Sequence, residues 1–547
     1  MSSREPQPEP SAERAAHGSC PGPRIAAGRG GPARLYLAAF AAALVLYVAT
    51  LAPDLVWQDG GEYQWTAARL SWPPAIHPEG RPSEFTVWCR PGEAVRVHPW
   101  FLVTAHAVGR LNLWNYAYAA NLCSALGAAL AAANVVLLVF LMTGRRGAAV
   151  VAGAAFALGH AVWTFAVTSE VLDWAALLLS AECLCAWGWA TRRQARWLLA
   201  LFFLNGIALS NHLMASLGLA VFGVWLLVEV VRRRAPAWVM PAAAGLWLAG
   251  GTLYWIVVGL EYVRTGNVAE TLVSATVGGF GGAAGNLAGL PRLFARSLLY
   301  LGLNHPTPLA LAAIPGALSL VRRRDAFAWV LLALAAVFFL WAARYDVPDQ
   351  YSFFVPFYVL SSVLIGLGAA WFVAQPGRWR LPALLVLAAL PVAVYAVLPS
   401  VARQAGLRFF KREVPYRDPY VYFLRPWKCG DWSARRFAEQ TLDSLPRGAM
   451  ILPDTTTSPP LKCLHDIEGF RPDVRIVDPY DARFDPSLGP LWQGGRDVLG
   501  EICADGRRVF VVSDRPEYVP GWVRQYGRLE PFGLVYEVLP RGGGGAP

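Results

Sequence analysis

The chain has 547 residues, 55% of them hydrophobic and 16% charged, with a formal net charge of +11. Soluble proteins carry about one-quarter charged residues, so composition excludes an ordinary soluble fold for the whole chain. Nor does the positive balance point to nucleic acid, because much of the arginine sits in short clusters at the ends of apolar runs, where it sets membrane orientation rather than lining a basic groove.

In chain order, Met1 to Ala33 is rich in Pro, Gly, Ser and Arg without apolar periodicity, and is expected to be a disordered cytoplasmic tail. Leu35 to Ala52 is long enough to cross about 30 Å of hydrocarbon. It lacks a small-residue cleavage site and so predicts an uncleaved first helix. Further spans are predicted near Tyr116 to Met142, Ala148 to Val167, Leu172 to Ala190, Trp197 to Leu209, Met214 to Val231 and Trp238 to Leu260. Pro308 to Val321, Phe327 to Ala342, Phe353 to Val373 and Leu381 to Leu398 complete a set of about eleven.

Every second connection is basic: Arg145-Arg146, Arg192-Arg193, Arg232 to Arg234, Arg322 to Arg324 and Arg378 to Arg380. The positive-inside rule then places the N-terminus in the cytoplasm and the C-terminal part outside it. The other connections, Asp54 to Asn112, the turn at Glu170, Ser210-Asn211-His212, the stretch Glu261 to His305 and Arg344 to Tyr351, hold the conspicuous polar motifs.

From about Arg403 the composition becomes that of a soluble domain. Ala449 to Pro453, Val474 to Val477 and Arg508 to Val512 predict short buried strands, and Leu529 to Leu539 a hairpin. Ser458 to Glu468 predicts a helix with a Ser cap and Pro at its first position. The eight cysteines show no metal-type spacing. Cys429, Cys463 and Cys503 fall in this domain, where an oxidising compartment would allow two of them to pair. The expected architecture is therefore a polytopic α-helical membrane protein: tail 1–33, transmembrane domain 34–402, small extracytoplasmic α/β domain 403–541, and a disordered Gly-rich tail 542–547.

The sharpest local feature is Trp57-Gln58-Asp59-Gly60-Gly61-Glu62-Tyr63, directly after the first span. If a helix begins here, Asp59 and Glu62 share one face, and the paired glycines permit close backbone approach. Asp59 is a candidate base or cation partner, against the alternative of an ordinary solvated helix start. His77-Pro78 and His98-Pro99 follow in the same loop with Arg69, Arg81, Arg90 and Arg96, residue types that bind phosphate when they converge. Glu170, Asn211 and His212 are ionisable or polar groups next to spans and so are functional candidates. Asp346 and Asp349, in Tyr345 to Tyr351, are hard to explain as interfacial anchors and are expected to face the same cavity as Asp59.

Taken together, these pieces resemble the membrane glycosyltransferases of GT-C fold, in the branch containing a vertebrate transmembrane O-mannosyltransferase and its prokaryotic relatives. The resemblance rests on Thr50-Leu51-Ala52-Pro53 leading to Asp59-Gly60-Gly61-Glu62, the His-Pro pair ahead of Gly109-Arg110-Leu111, and Ser169-Glu170-Val171. Ser210-Asn211-His212-Leu213, Tyr345-Asp346-Val347-Pro348-Asp349 and, in the soluble half, Ile467 to Arg475 extend it. Relatives carry His-Pro-Pro-Gly after the acidic motif; here His77-Pro78-Glu79-Gly80 and His98-Pro99-Trp100 each match in part, and spacing favours His98.

The resemblance implies transfer of a sugar, mannose being the suggested one, from a polyprenyl-phosphate carrier to a protein or glycan acceptor hydroxyl such as Ser or Thr, on the extracytoplasmic face and with inversion. Asp59 is then the base and Glu62 orients the site. His98 or His77 with Arg96 steadies the carrier phosphate, and Glu170, Asn211, His212, Asp346 and Asp349 bind substrate. A carboxylate-bound divalent metal is compatible with this chemistry and not required by it. The rival class is a polytopic transporter or lipid flippase, which needs polar groups along a path at the midplane and commonly shows internal repeats; none is evident here.

Overall fold

The structure, a computed structural model, describes residues 31–70, 88, 92–111, 114–477 and 506–541. His77, Cys503 and the expected tails 1–30 and 542–547 lie outside the described residues. Helix α1 spans Gly31–Ala49, so the first helix already includes the last three residues assigned to the tail. Two helices follow on the connection to the bundle, α2 (Gln58–Ala68) and α3 (Pro99–Gly109). The bundle continues with α4 (Tyr116–Thr143), α5 (Arg146–Ala157), α6 (His160–Ala166), α7 (Leu172–Arg192), α8 (Ala195–Asn211), α9 (Ala215–Val231), α10 (Val239–Gly250) and α11 (Thr252–Thr265). Then come α12 (Val268–Thr276), α13 (Gly281–Ala284), α14 (Leu290–Asn304), α15 (Ala313–Arg323), α16 (Ala326–Arg344), α17 (Val355–Ala374), α18 (Arg380–Ala389) and α19 (Pro391–Gln404).

Each predicted span has a helical counterpart, though not each is one straight helix. Among the described residues five helices are long and apolar enough to cross a membrane, and seven spans result if the bent pairs α5–α6 and α10–α11 each count as one. Both pairs bend by 67°. The α5–α6 break at Leu158-Gly159 has a steric reason: a Cβ on Gly159 would lie 2.7 Å from Asn304 Nδ2, and Asn304 Oδ1 accepts the Ala161 N–H at 3.0 Å. A buried side chain thus replaces the helical ladder at the bend. Glu261 to His305, expected as a loop, instead holds α12 and α14; α14 exposes Leu298 and Leu299 and buries Leu293 and Ser297, and its 15 residues are too few for a membrane span.

The bundle core is centred on α4, which buries most of its length; its alanines let α1, α5 and α7 approach closely. Glu182, in the middle of α7, is fully buried and is satisfied by Asn205 Nδ2 at 3.1 Å, which also donates to the Ala215 carbonyl at 3.2 Å. Such closure is what a buried polar group inside a bundle requires. At the basic connections, Arg193 and Arg324 form the left-handed C-caps of α7 and α15 with φ +54° and +53°, and Arg233, just past α9, has φ +56°. These conformations usually fall to glycine or asparagine.

The C-terminal part contains α20 (Pro419–Leu424), α21 (Ser433–Ser444), α22 (Ser458–Lys462) and five strands: β1 (Met450–Leu452), β2 (Arg475–Ile476), β3 (Val509–Val511), β4 (Gly527–Phe532) and β5 (Val535–Pro540). The sheet order is β2-β1-β3-β5-β4, with β1 parallel to β2 and β3, and β5 antiparallel to β3 and β4. Strands and hairpin fall where the apolar runs predicted them. The helix predicted over 458–468 departs in two ways. Thr457, not Ser458, is its N-cap, with Asp454 Oδ1 accepting the Thr456 and Thr457 N–H groups, and after Lys462 it widens into a π turn, Cys463–Ile467. Cys429 and Cys463 are both free thiols, so the described residues contain no pairing between them.

Candidate active site

The chain turns into the site at Ala52 to Trp57, a non-helical stretch whose backbone groups must find partners off the membrane. Asn121 Nδ2 donates to the Ala52 and Asp54 carbonyls at 3.0 and 3.1 Å, and Gln64 Oε1 accepts the Val56 N–H at 3.1 Å. Helix α2 then starts at Gln58 with Asp59 in its first turn and exposed. The glycines act as the sequence predicts. A Cβ on Gly60 would meet Ser169 O at 3.0 Å and one on Gly61 would meet Val56 O at 2.3 Å, so the backbone of α2 rests directly on its neighbours.

Asp59 faces two other carboxylates. Burial raises Glu170 to about 8, and the charge of Asp59 adds to the shift. Asp349 is raised to about 6 by burial first and by Asp59 next. Glu170 is pinned by Ser124, whose Oγ accepts the Glu170 N–H at 2.7 Å and donates to its carbonyl at 2.9 Å. Near neutral pH Glu170 is thus largely protonated. That keeps the cluster from repelling an anionic ligand as three ionised carboxylates would.

Arginine and histidine close the other side. Arg96 lies 3.7 Å from Glu62 and 3.0 Å from Glu93, and its charge also acts on Asp349. His98 Nδ1 donates to the Asn211 carbonyl at 2.9 Å, and its ring stacks on His212 with centroids 5.0 Å apart and 12° between planes. Tyr63 of α2 meets His98 edge-on at 5.7 Å. His212 Nδ1 accepts the Met214 N–H at 3.1 Å, which leaves the proton on Nε2, and burial lowers its pKa to about 4, so it is neutral. Asn211 Nδ2 donates to the Val171 carbonyl at 2.9 Å, tying this turn to the residue after Glu170.

The structure therefore gathers Asp59, Glu62, Arg96, His98, Glu170, Asn211, His212 and Asp349. Asp346 does not join them as expected: it is held by Arg292 at 3.3 Å and Arg296 at 2.9 Å on α14. Arg296 also donates to Gln350 Oε1 at 2.6 Å. These two arginines were missed because they sit in a stretch read as a loop; their spacing of four residues, which puts them on one face of a helix, was the available signal. Of the two His-Pro motifs, His98 belongs to the site and His77 lies outside the described residues. Among the described residues no group of three or more His, Cys, Asp or Glu converges to hold a metal ion.

A bundle of apolar helices with a carboxylate cluster at one end, capped by a small α/β domain, is a multi-pass membrane protein of GT-C-like fold. Two crystal structures of ArnT from Cupriavidus metallidurans share that fold at 14% identity. The apo form aligns with a TM-score of 0.56 over 92% of this chain and 98% of that one, and the form bound to undecaprenyl phosphate with 0.54 over 93% and 98%. Within the fold the chain is similar to one branch: residues 98–235 match the family model described as the Protein O-mannosyl-transferase TMEM260 N-terminal domain. It is also 24% identical to the mouse (Mus musculus) Protein O-mannosyl-transferase TMEM260, over 96% of this chain and 77% of that protein. The matched segment begins at His98 and includes Glu170, Asn211 and His212.

Proposed function

We propose that the chain is a membrane glycosyltransferase that moves a sugar, mannose in the first instance, from a polyprenyl-phosphate carrier to an acceptor hydroxyl of protein Ser or Thr, with inversion. The observation that carries this reading is the carboxylate set Asp59, Glu170 and Asp349 beside Arg96 and the stacked rings of His98 and His212. The mouse relative's name and the undecaprenyl phosphate bound to the Cupriavidus protein support the acceptor and donor classes.

Asp59, exposed at the start of α2, takes the acceptor proton as the acceptor oxygen bonds to the anomeric carbon. The bond from that carbon to the phosphate oxygen breaks, and its electron pair leaves on the carrier phosphate. Phosphate is a good leaving group, so one base suffices. Arg96, with His98 beside it, balances the charge that grows on the phosphate. Glu62 holds Arg96 in place, and Asn211 and His212 line the sugar side. Neutral Glu170 spares the donor phosphate a third negative charge.

In this reading the N-terminus lies in the cytoplasm and the α/β domain with the site on the extracytoplasmic face, in a prokaryote the outer face of the plasma membrane; the alternating basic connections support it through the positive-inside rule. Purified protein in vesicles with labelled polyprenyl-phosphate sugar and acceptor peptides tests the reaction. Solute accumulation without transfer would point instead to a transporter. A reporter fused to the C-terminus tests the orientation, which cytoplasmic reporter activity would overturn.

The raised Glu170 carries a pH prediction. The folded state binds the Glu170 proton more tightly than the unfolded chain does. The stability this adds is complete below the usual carboxylate range and is lost as pH rises through about 8. Wild-type melting temperature should therefore fall between pH 5 and 9, whereas Glu170→Gln, which mimics the protonated form, should flatten the part of that fall above pH 6. Parallel slopes for the two proteins in thermal-shift measurements would show that Glu170 ionises normally.

A further inference from the structure

The α/β domain touches the membrane half through α2, the helix that carries Asp59. Successive α2 residues turn by 100°, and its side chains sort into three faces. Asp59, Glu62 and Tyr63 face the site. Gly60 and Gln64 face the bundle: Gln64 Nε2 donates to the Ala117 carbonyl at 3.2 Å and to Asn121 Oδ1 at 3.0 Å. Gly61, Trp65 and Arg69, at intervals of four, face the soluble domain. A Cβ on Gly61 would be 2.9 Å from Pro459 Cβ, and Cys463 Sγ lies 3.6 Å from the Gly61 carbonyl. Trp65 Nε1 donates to Asp466 Oδ2 at 2.8 Å, Lys462 Nζ sits 3.9 Å from the Trp65 ring centroid, and Arg69 reaches Asp466 at 3.5 Å.

A second strut holds the stretch that leads into α2. Arg435 of α21 pairs with Asp54 at 2.8 Å and with Glu468 at 2.5 Å, and all three side chains are at least partly buried. Asp54 Oδ1 accepts the Leu55 N–H at 2.7 Å, while its Oδ2 also accepts from Asn115 Nδ2 at 3.2 Å. Trp57 Nε1 donates to Ser433 Oγ at 2.8 Å. From Asp54 to Arg69, therefore, the acidic segment is clamped between two domains and is not anchored by the membrane half alone.

We propose that the α/β domain is a working part of the active site, with Arg435 and Asp466 acting as positioning residues that fix the Asp59 carboxylate by holding Asp54 and Trp65. This rests on the transferase reading above. A base must meet the acceptor proton within hydrogen-bond reach, and a misplacement of about 1 Å costs about 10²-fold in rate. Arg96 and His98, on the donor's phosphate side, sit outside α2 and are held also by Glu93 and the Asn211 carbonyl, so loosening the clamp should strike turnover more than donor binding.

The experiment uses full-length protein in nanodiscs with labelled polyprenyl-phosphate sugar and an acceptor peptide, comparing wild type, Arg435→Gln, Arg435→Lys and Trp65→Phe. Arg435→Gln is expected to lower kcat by about 10²-fold with donor KM within about twofold, and Arg435→Lys to recover part of it. Trp65→Phe, which keeps the ring and loses the N–H, is expected to lower kcat by about tenfold, and hydrogen exchange at the α2 amides should quicken in both Arg435→Gln and Trp65→Phe. Two results would overturn the proposal while the wild type transfers sugar: kcat unchanged in Arg435→Gln and Trp65→Phe, or loss of turnover, donor binding and cooperative melting together with no rescue by Lys, which is a purely structural role. Absence of transfer by the wild type with every carrier would instead remove the transferase reading, and this inference with it.

Discussion

Asparagine in place of Asp59 is expected to lower sugar transfer by about 10²- to 10⁴-fold, the share a positioned general base contributes. The substitution is nearly isosteric and leaves α2 intact, because Asp59 is exposed and its neighbours Gly60, Gly61 and Gln64 make the packing contacts. It removes the basicity of the carboxylate assigned as the base while nearly keeping the side chain's size. Donor binding should be little changed or slightly tighter, since a negative charge near the phosphate is removed. Initial rates with labelled donor, alongside a separate binding titration, check this. Wild-type rates in Asp59→Asn would move the base elsewhere, with Asp349 next in line.

Gly61→Ala is expected to cripple the protein in a different way. On helix propensity alone alanine would gain about 1 kcal/mol over glycine. Here its Cβ would stand 2.3 Å from the Val56 carbonyl oxygen and 2.9 Å from Pro459 Cβ, contacts that side-chain rotation cannot relieve. Overpacking of this kind costs about 1–3 kcal/mol when the surroundings can shift. Since one contact is backbone, the cost should sit at or beyond the upper end and outweigh the propensity gain. The expected result is a lower melting temperature together with transfer reduced by about 10²-fold or more, as the shift displaces Asp59 two residues away. Gly109→Ala, where no atom lies within 4 Å of the added Cβ, is the control and should behave as wild type.

The membrane half was legible because hydrocarbon imposes a length and an apolar character on every span, and the basic connections punctuate them. What escaped was geometry. The bend at Leu158-Gly159 depends on Asn304, remote in sequence, and the helices α12 and α14 hid in a stretch too mixed in composition to pass for a span. At the site, the glycine pair announced a close approach without revealing that the surface approached at Gly61 belongs to the other domain. Asp346 and Asp349 share one short motif, and only the fold shows that one answers to Arg292 and Arg296 and the other to Asp59. Arg435 carries no motif at all; it matters because of where α21 is set down.

The left-handed arginines at the helix ends have a practical consequence. Arg233 and Arg324 hold a conformation that costs a side-chain-bearing residue about 1–2 kcal/mol relative to glycine. A screen that heats detergent-solubilised variants and keeps the survivors should therefore collect Arg233→Gly and Arg324→Gly among its winners. The same changes delete positive charges that, in the proposed orientation, hold those turns in the cytoplasm while the nascent chain is being threaded. Each change lowers its turn from three arginines to two, so selection for heat resistance would draw down the charge bias that directs insertion.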